Sequence, residues 1–207
     1  MKSRVLAALI GAFLVPTAYA GLLPVSRTVD AQTVVYLTQI ITPDTMDMSA
    51  KRFFALVESE APEINIIIDS PGGVNYIMWA VIKGIDTYKN NGGVVNCYIT
   101  NLAASAAAEI FLGCTNRYAT KNAKFMIHDP AVHVVFARIT AEIAKQLYEG
   151  LSEEKAKIRN RNYEILGLDN KSAIDLLMDE EKVVSAEEFN EAMKAEVITV
   201  LDSLVIQ

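Results

Sequence analysis

The chain has 207 residues, enough for one domain with a substantial core and short for two. Apolar residues make up 52% and charged residues 21%, with no low-complexity tract and no repeat at a solenoid period. A formal charge of -6 disfavours phosphate backbones, so nucleic acid is not an expected partner.

Lys2 and Arg4 give the chain a short basic start, Val5 to Val15 are all apolar or small, and Pro16 is followed by Ala18-Tyr19-Ala20. This is the three-part build of a secretory leader, too short to span a bilayer. The expected division is a leader at 1–20, cleaved after Ala20, and one domain at 21–207. The expected location is periplasmic or secreted, with no membrane span once the leader is gone. The alternatives are an uncleaved anchor or a buried N-terminal helix. Cys97 and Cys114 are the two cysteines. Export favours a bridge between them, and two buried thiols are the other reading. Their spacing, with no His between them, does not suit a metal.

Beyond the leader, strand-like and helix-like segments alternate. Thr33–Ile41 (TVVYLTQII) reads as a strand, and Asp47–Glu58 has helical spacing through Met48, Phe53, Phe54 and Val57. Ile64–Ile68 (INIII) is a continuous apolar run, as for a strand covered on both faces. Ser70-Pro71-Gly72-Gly73 is a turn signal, and Val74–Tyr88 reads as a helix. Val94–Thr100 is the next strand, and Leu102–Leu112 (LAASAAAEIFL) is helix-prone. Arg117–Ala119 and Phe125–His128 are short strands, and Ile139–Ile165 is a long helix. Ser172–Glu180 is a further helix, Ser185 with Glu188 makes a capping box, and Val197–Leu201 is a last strand. Such alternation predicts an α/β fold with helices on both faces of a sheet.

Ser105 lies where a strand passes into a helix of small residues, beside backbone N–H groups that a helix leaves unpaired. The common use of such a serine is as a helix cap. The two glycines of Ser70–Gly73 allow positive φ and close approach to a ligand, or merely a strand-to-helix turn. A serine nucleophile needs a base, and His128 ends a strand before Asp129-Pro130. His133, among Val132, Val134, Val135 and Phe136, reads as structural. An acid must orient the imidazole. Asp179, Glu180 and Glu181 are adjacent, and their pattern alone does not choose between them. Glu109 is an acid on an apolar helix, one turn after Ser105, suited to pairing with a cation or touching the pocket.

TVVYLTQII, INIIIDSPGGV, LAAS, KFMIHDP and EKVVSAEE, in this order and spacing, resemble the proteolytic subunits of Clp proteases. The resemblance runs from about Thr33 to Leu201 and has the character of an exported or phage-like variant. It implies a ClpP/crotonase-type fold of repeated ββα units, with helices flanking a mostly parallel sheet. It implies a serine endopeptidase with Ser105 as nucleophile, His128 as base and Glu181 as acid, Asp179 standing in reserve. Gly73 and Ala106 match the oxyanion donors. Gly72, Val74 and Ala131 match segments that hold the peptide as an added strand. No metal or organic cofactor is expected. The implied partners are peptides or unfolded proteins and further copies of the chain in rings of seven, one or two. The helix at Ile139–Ile165 would be the handle between rings. An exported form would work without the family's ATP-driven unfoldase. The other readings are an inactive assembly protein, a crotonase-fold acyl-CoA enzyme, and a Ser-Lys signal-peptide peptidase relative. Asn101 and Ala107 stand where the family usually has glycine, and Ala131–Ile139 replaces a glycine-rich stretch.

Overall fold

The computed structural model describes residues 25–132, 134 and 137–207. The leader expected at 1–20 and the reading of His133 lie outside these residues. In chain order the described residues form β1 (Ser26–Val29), β2 (Val34–Leu37), α1 (Pro43–Glu58), β3 (Glu63–Ser70), α2 (Asn75–Asn90), β4 (Val94–Ala104) and α3 (Ala106–Leu112). Then follow β5 (Asn116–Thr120), β6 (Lys124–Met126), α4 (Ala141–Leu166), α5 (Lys171–Asp179), β7 (Val184–Ser185), α6 (Ala186–Met193), β8 (Thr199–Leu201) and β9 (Ser203–Ile206).

Seven strands make the main sheet, in the order β2-β3-β4-β5-β8, with β6 pairing to β4 and β7 to β6. All its pairings are parallel except β6 with β7. The α/β class and the mostly parallel, helix-flanked sheet follow from the alternation of β-branched runs with helical ones. The INIII run shows how burial on both faces works. Ile64, Ile66 and Ile68 pack in the larger core with α1 to α6, while Ile67 packs with Val29, Val34, Tyr98 and Leu201 in a smaller one. Asn65 is fully buried in that strand because Asn96 and Tyr98 both donate to its Oδ1, at 3.0 and 3.1 Å.

Three expectations change. Among the described residues, helices do not cover both faces: their buried apolar residues all belong to the larger core, and the smaller one is closed by β1 and β9. Those two strands pair in parallel, Ser26 with Ser203 through Val29 with Ile206, and join the two ends of the described chain. Thr33–Ile41 is strand only over Val34–Leu37, with Ile41 making a lone bridge to Gly73. Leu102–Ala104 is not helix, because these residues pair with Lys124–Met126 of β6. An inter-strand ladder there outweighs alanine's helix propensity. The capping box at Ser185 forms as read, with the Ser185 hydroxyl accepting from the Glu188 N–H at 3.2 Å.

Candidate active site

Ser105 stands between β4 and α3 with φ 56° and ψ -128°, a region that side-chain-bearing residues rarely occupy. Its N–H donates to the Met126 carbonyl at 2.9 Å, which pins the turn to β6. Although it occupies the N-cap position, its hydroxyl makes no capping bond. The oxygen is therefore not committed to the usual task of such a serine.

Gly72 lies directly against this turn. A Cβ at Gly72 would sit 2.5 Å from the Ala104 carbonyl oxygen and 2.6 Å from Ser105 Cβ, and φ there is +94°. Only glycine permits that approach. Beyond it, Ile41 donates to the Gly72 carbonyl at 2.7 Å and the Val74 N–H donates to the Ile41 carbonyl at 2.9 Å. In this parallel bridge the N–H and C=O of Gly73 itself face the opposite way, and neither has a backbone partner among the described residues. Ala106 is the first residue of α3, so its N–H has no helical partner. Val74 does not fit the substrate role expected of it: it lies outside the cavity lining, and its N–H is spent on Ile41.

Strand register carries the other two groups to the same place. Ala104 pairs with Met126, so His128 emerges from the end of β6 just past Ser105. On its other side β6 runs antiparallel to β7, Lys124 opposite Ser185 and Phe125 opposite Val184. Continuing that register three residues sets Glu181 opposite His128. The side chains agree, with Glu181 Oε1 3.9 Å from His128 Nδ1. That nitrogen is buried and makes no hydrogen bond among the described residues. Glu180 caps α5 through its backbone N–H. Asp179 is turned away, held by Arg159 Nη2 at 2.5 Å. Ser105, Ala106, Gly72, Gly73, His128 and Ala131 line one cavity of about 290 Å³. Among the described hydrogen bonds none joins the Ser105 hydroxyl to the imidazole.

The Clp protease family model matches residues 22–201. The chain belongs to that family. It is 32% identical over 132 residues to the ATP-dependent Clp protease proteolytic subunit 2 of Chlamydia trachomatis, a match covering 63% of each chain. With the subunit 2 of Bacillus licheniformis it shares 33% identity over 85 residues, 40% of this chain and 43% of the relative. With the subunit 1 of Chlamydia felis it shares 31% over 132 residues, again 63% of each. The chain thus spans 43% to 63% of the length of these relatives.

Three further features of this Clp family chain bear on the site. Arg159, on α4, holds both oxygens of Asp129 at 2.8 Å and reaches Asp175 and Asp179 at 2.5 Å. Lys155 adds a contact to Asp129 at 2.6 Å. Burial opposes the charge on Asp129, but these cations hold its carboxyl below the usual range. One guanidinium thus fixes both the residue after His128 and the helix end before Glu181. Glu109 is buried yet reaches the cavity, and takes a hydrogen bond from Asn162 Nδ2 at 3.0 Å. Desolvation pushes its carboxyl up to about 7, with Asn162 and Arg161 opposing the rise. Finally, Cys97 of β4 and Cys114, just after α3, are bridged with Cα atoms 6.0 Å apart. The bridge spans the strand, turn and helix that carry Ser105. No local pattern announces Arg159, Arg161 or Asn162, because α4 lies some fifty residues along the chain and meets the site only after folding.

Proposed function

We propose that the chain is a serine endopeptidase. The observation that supports the proposal is the register that joins β4 to β6 and β6 to β7, with Ser105 and His128 lining one cavity and Glu181 3.9 Å from His128 Nδ1. Ser105 Oγ attacks the scissile carbonyl carbon while His128 takes the hydroxyl proton. The tetrahedral intermediate collapses, the C–N bond breaks, and the amine leaves with that proton. Water then attacks the acyl ester, giving its proton to His128, and Ser105 is regenerated as the acid product departs. Glu181 faces Nδ1, which leaves Nε2 for the serine. The N–H groups of Gly73 and Ala106 receive the oxyanion, worth about 3–4 kcal/mol for each donor. Extended peptide would pair along Gly73 and Ala131, where the backbone edge is open. No metal or organic cofactor enters this chemistry.

The test is labelling by a fluorophosphonate probe together with peptide hydrolysis. Wild type is expected to be labelled at Ser105, and Ser105→Ala to lose both labelling and cleavage. Undiminished cleavage by Ser105→Ala would overturn the assignment. The 3.9 Å gap between Glu181 and His128 favours one second reading, a catalytically silent assembly protein, which the same probe would leave unlabelled.

Two further proposals accompany this one. Export, with cleavage after Ala20 and a periplasmic or secreted destination, is supported by the leader pattern and by the Cys97–Cys114 pairing. Ring assembly is supported by α4, where no residue from Ala141 to Lys157 is buried. An exported ring would act on peptides or already unfolded chains.

A further inference from the structure

Glu109 takes no part in the acyl transfer described above, yet it stands at the reacting centre. It is one turn beyond Ser105 on α3, and its N–H donates to the Ser105 carbonyl at 3.1 Å. Its side chain belongs to a residue only 3% exposed, and it lines the same cavity as Ser105 and His128. Met78, Met126 and Ile158 line that cavity too. The result is a slot with apolar walls and one carboxyl, reached from the nucleophile. Such a slot suits a side chain with an apolar stem and a cationic tip.

The carboxyl has room for such a tip. Asn162 Nδ2 meets Oε1 at 3.0 Å, and Arg161 Nη1 stands at 3.5 Å from Oε2. A carboxylate offers roughly four acceptor sites, so two protein donors leave capacity. Arg161 does not line the cavity; it borders a separate depression with Trp79, Asp86 and Lys157. The cation it supplies thus comes from the side away from the cavity. Burial raises the Glu109 carboxyl to about 7 in spite of both partners. Its charge is under-compensated, and a substrate cation would complete it.

We propose that Glu109 determines specificity, binding the side chain on the acyl side of the scissile bond and selecting lysine or arginine there. This rests on the peptidase reading and names its substrate class.

The experiment measures kcat/KM of the full chain on fluorogenic peptides that differ only at that position, with Lys, Arg, Leu, Met or Gln. Rates are normalised to active sites counted by fluorophosphonate labelling. Wild type is expected to favour the basic residues over Leu by at least about tenfold, the scale of one charge-assisted contact. Glu109→Gln, which keeps the shape, is expected to reduce that ratio at least about tenfold, and Glu109→Leu to reverse it. If Glu109→Leu does not fold, Glu109→Gln alone decides. A wild-type preference for Leu, Met or Gln overturns the inference. So does an unchanged ratio in Glu109→Gln with labelling retained, and in both cases the peptidase reading survives. A wild type that neither labels nor cleaves overturns both.

Discussion

At the residue scale, reach and prior commitment favour Glu181 as the acid of the proposed triad. Asp179 already neutralises Arg159, while Glu181 has an exposed side chain and faces the unpartnered Nδ1 of His128. Glu181 Oε1 stands 3.9 Å from that nitrogen, and catalytic contacts of this kind are often long before substrate binds. Glu181→Gln is therefore expected to lower kcat by on the order of 10²–10⁴, through loss of the imidazole's orientation. Asp179→Asn is expected to lower it far less, and steady-state kinetics on one peptide compare them. Glu109 makes a different prediction, on stability. Its carboxyl titrates near 7 in the folded protein against an ordinary value of 4.5. A raised carboxyl favours the folded state below the unfolded value, and that advantage is lost as pH rises through the folded one. The full effect is on the order of 3 kcal/mol. Denaturant melts at pH 5 and pH 8 should show wild type losing stability relative to Glu109→Gln as pH rises.

At the element scale, the strand-turn-helix from β4 to α3 has to hold a strained residue. Ser105 keeps its positive φ because three things constrain it: the ladder to β6, the packing of Gly72, and the bridge from Cys97 to Cys114. Closing a loop with a sequence separation of 17 removes about 3 kcal/mol of entropy from the unfolded chain. Reduction, or Cys97→Ala with Cys114→Ala, is expected to lower unfolding free energy by about that amount. Thermal melts with and without reductant measure it, and intact mass before reduction counts the missing hydrogens. The turn itself was only half legible. Ser105 and the glycines stand out in sequence, but the strand's continuation through Ala104 depends on Lys124–Met126, twenty residues away. Local alanine content pointed to helix instead. Glycine's usual place after the last helix is likewise filled by Lys194 in the left-handed region at φ 51°, which composition does not reveal.

At the scale of the whole molecule, the described chain is closed by its own ends, β1 against β9, while α4 extends past the core. Exposed Ile143 and Tyr148 on that arm, and Tyr36, Met48 and Phe54 elsewhere, are apolar surfaces that association would bury. Native mass spectrometry of the purified protein is expected to give seven copies or a multiple, and a monomer at micromolar concentration would refute the proposed ring assembly. What sequence alone determined is the set of local patterns: the α/β alternation, the two-faced INIII strand, the capping box at Ser185, and the family's motifs in order. These depend on short-range periodicity and on residue chemistry, which one chain displays directly. The tertiary structure alone decided which acid lies 3.9 Å from His128 Nδ1, that Arg159 holds both Asp129 and Asp179, that Val74 lies outside the cavity lining, and that strands close the second face of the described sheet. Each of these is a meeting of segments far apart in sequence. Register and packing fix such meetings, and neither is written in any window of the chain.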